Sequence, residues 1–516
     1  MTSLRLRAPA EHGQTLAVPP FEQVGPLLAE NRQIISKPNL VQPDTSFAEV
    51  RSIARKETLA CSDQYHNDAG EEVPVETKDI WILAGHQPEL CHPGVWFKNF
   101  VLNHLAHSHG AMALNLIIDT DLVKPAILHV PDGARVARVP FDRSSLDAPY
   151  EECVVQDEAL FADLPERVAP LTTTWGFEPM LNDFWPMVMH QARRTNLLGE
   201  RFAAARRALE RQFGVIQREV PMSRVCETPS FARFVAWIFG GLHAFHAIFN
   251  ETVQEYRRSH RIHSRSHPVP DLASDGDWLE TPFWAWRRDQ RRRGKLFLRN
   301  HDGNWTLRIG ADEVATIPAA DRPALFQLMT ETIKIRSRAL TTTMFARLLL
   351  GDLFIHGIGG GVYDVLTDRI LARFFGIPAP AYLTVSATLL LPLPRYPEAA
   401  QQIRGLKRRQ RDLLYHPERF ATLTAETAPW IDAKRRWLAH AGVDHAQRVE
   451  RLRRLREANV QLRPFVKSLM NQAQRELAEW QQRLSLHNVA ARRDYAFCLY
   501  PAEMLKGFYA ETARKF

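Results

Sequence analysis

Asp79-Ile-Trp-Ile-Leu-Ala-Gly85 is a short apolar run that ends in glycine, the profile of a buried strand. A loop follows at residues 86–93, and residues 95–107 then carry apolar side chains at helical spacing. A second apolar run, residues 111–118, closes in Asp119-Thr-Asp121. Strand, loop, helix and strand at this spacing predict a βαβ unit, the start of a doubly wound parallel sheet.

The later sequence adds further strands. An Asp-Gly pair separates two alternating segments within residues 295–309, which predicts a hairpin inside an insertion at about 265–315. Residues 352–356 form a strand-like run that leads into Gly357-Ile-Gly-Gly-Gly361, a helix is expected over 362–375, and residues 381–391 indicate another buried strand. The expected fold class is α/β, with a Rossmann-like parallel sheet core, inserted segments and a C-terminal α-helical coiled coil.

Four regions are expected along the chain. Residues 1–75 are Pro-rich and polar and predict an N-terminal arm, and residues 76–394 form the core. Residues 395–490 predict a helical coiled coil, and 491–516 are apolar enough to return to the core. The coiled-coil seam is expected at Leu455, Leu462, Leu469 and at Asn459, Val466, Ala473, Trp480. Pro464 lies in this seam and is expected to kink or restart the helix.

Composition indicates a protein with anionic partners. The chain of 516 residues has a net charge of +8 and an isoelectric point near 9.3. We expect the excess of basic residues to be spread along the chain. No nucleic-acid reader motif accompanies the charge, which argues against sequence-specific nucleic-acid binding. Five scattered cysteines without a C-x-x-C pair fit a reducing cytoplasm. Neither a secretory signal nor a membrane span is expected.

The loop after the first core strand is the first candidate site. Gly85 allows the backbone to turn close to a ligand, and His86 and Gln87 supply polar groups for phosphate or ribose oxygens. Lys98, early in the next helix, could reach the same anion. The alternative is a structural loop that holds a buried, hydrogen-bonded histidine.

Two aspartates follow the second strand. Asp119 or Asp121 could bind a ribose hydroxyl, an amine or a magnesium ion at the carboxyl edge of the sheet. Aspartate is also common as a cap of the following turn, so both interpretations stay open. A group of histidines at 104, 107 and 109 lacks a cysteine or carboxylate partner, so no metal site is expected there.

The third candidate is the glycine-rich segment between a strand and a helix. Gly357, Gly359, Gly360 and Gly361 could let backbone amides point at an anion, although a tight turn also uses glycine. The segment matches neither the Walker pattern nor G-x-G-x-x-G. Tyr363 and Asp364 border it and could take acid/base or orienting roles, or be structural.

These motifs, in this order, resemble the bacillithiol-biosynthesis cysteine-adding enzymes. The resemblance rests on Gly85-His-Gln with Pro93-Gly94, on the segment 357–361 followed by Phe375-Gly-Ile-Pro378 and Val385-Ser-Ala-Thr388, and on a coiled coil closed by Arg493-Asp-Tyr495. The chain departs from the family where the second strand ends, because Ile118-Asp-Thr-Asp121 lacks the family's histidine. The later glycine segment also lacks the family's Pro and Glu.

The resemblance implies a ligase that joins cysteine to the amine of glucosaminyl malate, with ATP or ADP as nucleotide and magnesium as a further candidate. It implies a homodimer formed through the coiled coil. Catalysis would fall to His86, Asp119 and Asp121, and Ser386 would join the ligand-binding residues. Two alternatives remain, a nucleotidyl or sugar-nucleotide transferase and a non-catalytic coiled-coil binding or assembly protein.

Overall fold

A computed structural model of the chain describes residues 6–36, 41–42, 45–73, 77–143, 148–264 and 266–513. The parts of the expected arm and insertion at 1–5, 37–40, 43–44, 74–76 and 265 lie outside these residues. The chain forms two compact units. The larger, called the core unit, comprises residues 1–129, 138–389 and 493–516, and the smaller, called the helical unit, comprises 130–137 and 390–492.

The core unit is a mixed α/β structure built on a six-stranded sheet. Its strands are β1 Thr15–Val18, β2 Trp81–His86, β3 Met112–Ile117, β4 Arg218–Pro221, β5 Leu353–His356 and β6 Tyr382–Ala387. Their spatial order is β1-β6-β5-β2-β3-β4. β2 to β6 run parallel, whereas β1 pairs antiparallel with β6. The expected parallel pairing is thus present from β2 to β6, and the antiparallel edge strand β1 makes the sheet a mixed one.

The predicted βαβ unit is confirmed. β2 and β3 are apolar along most of their length because helices cover both faces of this part of the sheet. The intervening helix Pro93–Ser108 begins with proline, whose missing N–H costs nothing in the first turn. His92 caps this helix, since its Nδ1 accepts a hydrogen bond from the backbone N of Gly94.

The N-terminal residues contribute to the core rather than only wrapping it. β1 completes one edge of the sheet, and Asn31 donates hydrogen bonds to the carbonyls of Asp352 and Ala381, both at 2.8 Å. A helix spans Phe47–Asp68 within this segment, and the Ser46 hydroxyl caps it. Arg51 of this helix is buried and forms an ion pair with Asp352 at 2.9 Å. Such buried contacts bind the N-terminal segment to the sheet.

A second, antiparallel sheet occupies residues 274–337. Its strands are Ser274–Asp275, Trp278–Arg287, Gly294–His301, Asn304–Ile309, Asp312–Pro318 and Ile333–Ser337. The predicted hairpin is confirmed, and its turn residues Asp302 and Gly303 both have positive φ. The insertion is longer than expected, because Ile333–Ser337 pairs with Trp278–Arg287.

Helices fill the rest of the core unit, and two short strand pairs, Val41–Gln42 with Thr45–Ser46 and Ile127–Asp132 with Arg135–Pro140, lie outside both sheets. The remaining helical segments of the core unit are Phe21–Gln23, Val24–Ser36, Tyr150–Glu152, Glu158–Ala162, Leu164–Thr172, Leu181–His190, Gln191–Arg193, Leu198–Gln212, Met222–Val225, Pro229–Gly240, Leu242–His260, Arg322–Gln327, Leu328–Thr332, Ala339–Phe345, Ala346–Leu350, Ile358–Ile370, Leu371–Phe375, Phe497–Leu499 and Ala502–Ala513.

The C-terminal residues return to the core, as expected. Phe497 and Tyr500 are buried, and the Tyr509 hydroxyl donates to the carbonyl of Pro93 at 3.0 Å. Among the described helices, none alone has both the length and the apolar character to cross a bilayer. Pro229–Gly240 and Leu242–His260 meet that test only as a pair, with a bend of 83° between them.

The helical unit contains Ala399–Tyr415, Pro417–Arg419, Ala428–Ala439 and the 46-residue helix His445–Ala490. Ala399–Tyr415 and His445–Ala490 pair antiparallel, since Leu413 packs near Val466 while Leu406 packs near Leu477. Leu462 and Ala473 of the expected seam are also buried, so helices of the same chain cover most of this seam.

Pro464 does not restart the long helix, which continues through it. Proline lacks the backbone N–H that would donate to the carbonyl four residues earlier, which is a local loss. Apolar packing on both sides of this position, at Leu462 and Val466, stabilises the helix.

Candidate functional site

The carboxyl ends of the parallel strands carry the candidate site. His86 ends β2, Asp119 follows β3, Ser223 follows β4 and Gly357 follows β5. The chain continues from β2 to β3 on one side and from β5 to β6 on the other, so the strand order reverses between β2 and β5. Open α/β sheets bind ligands beyond such carboxyl ends.

A cavity of about 210 Å³ lies beyond β3 and β4. Its charged and hydroxyl-bearing lining includes Asp119, Glu151, Ser223, Glu227, Lys334 and Arg336. Lys334 and Arg336 belong to strand Ile333–Ser337 of the second sheet, so this sheet forms one wall of the cavity. The space is about seven times the volume of a water molecule in the liquid, enough for a small polar molecule.

Asp119 is the titratable group best placed for proton transfer in this cavity. It is 8% exposed, and it accepts hydrogen bonds from the backbone N of Ser223 at 2.9 Å and from the Ser223 hydroxyl. Burial and the nearby charge of Glu151 raise the pKa of Asp119 to about 7. A carboxyl with such a pKa can accept or donate a proton near neutral pH.

The cations of the cavity are held by carboxylates. Arg336 is buried and donates to both oxygens of Glu151 at 2.8 Å and to Glu227 at 2.9 Å. Lys334 donates to Glu152 at 2.5 Å and lies 3.3 Å from Glu151. These bonds orient Glu151 beside Asp119, and the like charge of Glu151 favours the protonated form of Asp119.

His86 and Lys98 lie at the end of β2. Nε2 of His86 is 3.3 Å from Oε1 of Glu89, and burial with the charge of Lys98 lowers the pKa of His86 to about 4. His86 is therefore neutral at neutral pH. Lys98 donates to the carbonyl of Gly85 at 2.6 Å, and burial lowers its pKa to about 8. Neutral His86 and cationic Lys98 suit an anionic ligand.

Gln87 and Asp121 are hydrogen-bonded to each other. Nε2 of Gln87 donates to Oδ2 of Asp121 at 2.9 Å, and Arg293 donates to Oδ1 at 3.2 Å. Arg293 also donates to the carbonyl of Thr120 at 3.0 Å, so the second sheet fixes the loop that carries both aspartates. Asp121 lies in this hydrogen-bonded position, whereas Asp119 lines the cavity.

The glycine-rich segment is helical rather than a loop. Gly357 precedes helix Ile358–Ile370, so Gly359, Gly360 and Gly361 lie in its first turn. A Cβ atom on Gly361 would stand 2.2 Å from Oγ1 of Thr384, and one on Gly360 would stand 2.6 Å from Nδ1 of His356. Close packing thus accounts for these two glycines, while a Cβ on Gly359 would meet nothing within 4 Å.

Asp364 and Ser386 lie in hydrogen-bond networks of the core unit. Asp364 is buried and accepts from Arg347 at 2.5 Å, and His356 Nε2 lies 2.9 Å away. Burial opposes ionisation, but Arg347 and His356 hold the pKa of Asp364 well below its ordinary value. Ser386 is buried and accepts from Arg493 at 3.2 Å. These contacts give both residues a role in packing the sheet.

Tyr363 is half-buried, and its ring lies edge-on to His267 with 5.5 Å between centroids. The cavity lined by Asp119 does not include His86, Lys98 or Gly359 among its described lining residues. Pro88 contributes both to this cavity and to a space of about 20 Å³ beside His86, which has room for a single water. The sequence-predicted residues therefore fall into two neighbouring groups.

Sequence reasoning missed Ser223, Glu151, Lys334 and Arg336 in the lining of the cavity. Ser223 and Glu151 approach Asp119 from distant parts of the chain, which no local pattern signals. Lys334-Ile-Arg336 did carry a signal, because alternate residues of a strand share a face.

Comparison of the chain with protein families and with curated proteins gives no match. Among the described residues, no three His, Cys, Asp or Glu side chains are grouped so that they could hold a metal ion. The geometry of the site and the sequence motifs thus carry the functional argument.

Proposed function

We propose that the protein is an enzyme that forms carbon–nitrogen bonds, joining a carboxylic acid to the amine of a small anionic acceptor. The observation that carries the proposal is Asp119, a buried carboxyl with a pKa of about 7 that opens onto a polar cavity at the carboxyl edge of the sheet. The resemblance to cysteine-adding enzymes suggests cysteine and an amino-sugar conjugate, glucosaminyl malate, as substrates of a bacillithiol-type pathway.

The strand order supports a Rossmann-like core. Five parallel strands in the order β6-β5-β2-β3-β4 follow the doubly wound arrangement, with the reversal between β2 and β5. We assign the nucleotide, ATP or ADP, to the crevice at this reversal, near Lys98 and the first turn of helix Ile358–Ile370. Lys98 lies close to that turn, since its Cδ is 3.9 Å from the position of a Cβ on Gly357.

The chemistry follows from proton balance. An amine reaches the enzyme largely as ammonium, and it must lose a proton before its nitrogen can attack an acyl carbon. Ionised Asp119 accepts that proton, and the Ser223 hydroxyl stabilises the ionised carboxylate by donating to it. The nucleotide, with magnesium as a further candidate, supplies activation of the carboxylic acid and its leaving group. Lys98 favours binding of the phosphate charge.

The cavity selects for small, polar molecules. Paired charges such as Glu151 and Arg336 make its wall polar, which suits a polar rather than an apolar substrate. A volume of about 210 Å³ takes a small amino acid or the amine-bearing end of a larger conjugate.

We also propose a cytoplasmic homodimer. All five cysteines are free, in keeping with a reducing compartment. Because helices of the same chain cover most of the expected seam, we assign the dimer contact to the exposed apolar residues Val449, Leu452 and Val460, which share one face of the long helix. Light scattering should give twice the chain mass, and aspartate at Val449 and Val460 should give monomers.

A thermal-shift titration with ATP, ADP and glucosaminyl malate, with and without magnesium, tests the enzymatic proposal. A ligand that binds only the folded state should stabilise it by about 2.7 kcal/mol at 100 times its Kd. Stabilisation by nucleotide and glucosaminyl malate, followed by product formation with cysteine, supports the ligase. Asp119→Asn should keep nucleotide binding and lose product formation.

Two other results would redirect the assignment. Stabilisation by a nucleotide alone favours a nucleotidyl or sugar-nucleotide transferase at the same edge. Absence of any response contradicts the enzymatic proposal and favours an assembly protein. One observation favours that second candidate: among the described residues, eight of the twelve exposed large apolar side chains belong to the helical unit.

A further inference from the structure

The basic charge is concentrated in one part of the chain. Residues 390–492 contain 20 Lys and Arg against 10 Asp and Glu, whereas the whole chain contains 66 against 58. The other residues thus hold 46 basic against 48 acidic side chains. The expectation that the excess of basic residues is spread along the chain is wrong, because basic and acidic residues are nearly equal in number outside residues 390–492.

Four of these basic residues form a continuous row. Arg404, Lys407, Arg408 and Arg411 are exposed and recur at the i, i+3, i+4 and i+7 spacing of one helix face in Ala399–Tyr415. We call this row the basic face. It spans about 10 Å at 1.5 Å per residue. The opposite side of the same helix packs against His445–Ala490, so the basic face points away from that partner.

Within residues 390–492, all of which the structure describes, none of the four side chains makes an ion pair. Other basic residues of the unit are paired, such as Lys434 with Glu418 and Arg454 with Glu450. Four unpaired cations in one row repel each other, and a partner with closely spaced negative charges relieves that repulsion. The nearly neutral balance of the rest of the chain makes a second copy a poor source of such charge.

We propose that the basic face binds the phosphate backbone of nucleic acid without reading its sequence. Residues 390–492 contain 17 Arg and only 3 Lys, and a guanidinium can hold a phosphate through two hydrogen bonds. Each strand of a duplex carries one phosphate per about 3.4 Å of the helix axis, so the length of the face corresponds to about three phosphate steps along that axis. Tyr415, one turn beyond Arg411, is the exposed large apolar side chain on this side of the helix, and one such side chain is far less apolar surface than an amphipathic helix inserts into a membrane. This inference is independent of the ligase assignment.

Fluorescence anisotropy of a labelled 20-base-pair DNA duplex with the full-length protein tests the proposal, in KCl between 50 and 300 mM. Each phosphate contact contributes about 0.9 to the slope of log affinity against log salt. The variant R404Q/K407Q/R408Q/R411Q should therefore have a slope shallower by 3 to 4 and an affinity at least 10-fold weaker at the lowest salt. Scrambling the base sequence of the duplex should leave the affinity of the wild-type chain unchanged.

The matched control R193Q/R258Q/R291Q/R292Q removes the same charge from exposed positions of the core unit and should keep most of the affinity. An equal loss in both variants overturns the proposal, since net charge and not the basic face would then govern binding. Absence of duplex binding by the wild-type chain overturns it as well. Binding to vesicles with 30% anionic lipid but not to the duplex would assign the face to a membrane surface instead.

Discussion

Replacing Asp119 with asparagine removes one ionisable group from the cavity and keeps the shape of the side chain. Asp119 accepts hydrogen bonds from the backbone N and the hydroxyl of Ser223. The oxygen of the replacement amide can accept from the backbone N, and the hydroxyl can rotate to accept from its nitrogen. We therefore expect Asp119→Asn to fold normally, which makes its pH dependence interpretable.

The expected effect follows from the raised pKa of Asp119. Its pKa is about 7 in the folded chain against an ordinary value of 3.8, so the folded chain binds this proton more tightly than the unfolded chain does. The free energy of unfolding of the wild-type chain must then decrease as pH rises from about 4 to 7. At about 1.4 kcal/mol per pKa unit, the full loss is about 4 kcal/mol, and Asp119→Asn does not undergo it.

Thermal melting of both chains between pH 4.5 and 8.5 measures this difference. With an unfolding entropy of about 2.1 cal/mol/K per residue and roughly 400 residues in the core unit, 4 kcal/mol corresponds to about 5 °C in Tm. The variant should gain this amount over the wild type as pH rises. Ser223→Ala removes a donor to the ionised carboxylate and should raise the pKa of Asp119 further. The decrease in Tm should then occur at higher pH than in the wild type. The same pH dependence of Tm in Asp119→Asn and in the wild type would contradict a raised pKa of Asp119.

Three further predictions concern packing and catalysis. Gly361→Ala should destabilise the core unit by about 1–3 kcal/mol, because the new Cβ would stand 2.2 Å from a threonine oxygen on β6; Gly359→Ala meets no atom within 4 Å and should stabilise its helix by up to about 1 kcal/mol. Leu462→Ala should cost the helical unit about 2–5 kcal/mol, since the side chain is fully buried, whereas Gln461→Ala at the exposed neighbouring position should change stability by less than about 0.5 kcal/mol. His86→Ala should lower product formation with little change in Tm, because His86 ends β2 at the strand reversal to which the nucleotide is assigned.

Urea denaturation checks the paired substitutions, and the proposed ligase assay checks the histidine. Equal stability of the two glycine variants would mean that the first turn of helix Ile358–Ile370 is not packed closely on β6. Equal stability of the two variants of the long helix would mean that Leu462 is not packed against the neighbouring helices. A large loss of Tm in His86→Ala would identify a structural histidine, the alternative that the sequence left open.

Local patterns predicted the elements of the core well. The apolar runs that became β2 and β3 are buried on both faces, so their composition alone marks them. The Asp-Gly turn at residues 302–303 was equally readable, because positive φ restricts which residues a hairpin turn accepts. The roles assigned to His86, Asp119 and Asp121 stay predictions.

Long-range contacts were not readable from the sequence. Ser223 approaches Asp119 across about a hundred residues of chain, and no spacing rule connects them. The glycine-rich segment was misinterpreted for a related reason. Local patterns associate glycine with loops, whereas position 361 requires glycine because Thr384 of a neighbouring strand leaves no room for a Cβ atom. A polar pattern in the N-terminal residues likewise gave no sign that β1 pairs with β6.

The pairing of β1 with β6 has a consequence for synthesis on the ribosome. Leu16 lies opposite Ser386, so about 370 residues must be made after the first strand before its partner exists. At about 5–20 residues per second, this takes roughly 20 to 70 s. The edge of the sheet formed by β1 and β6 can be completed only late in translation, and until then the nascent β1 stays without its partner strand. Chaperone dependence during expression, and misfolding of chains that lack residues 15–18, are the expected results of this order of assembly.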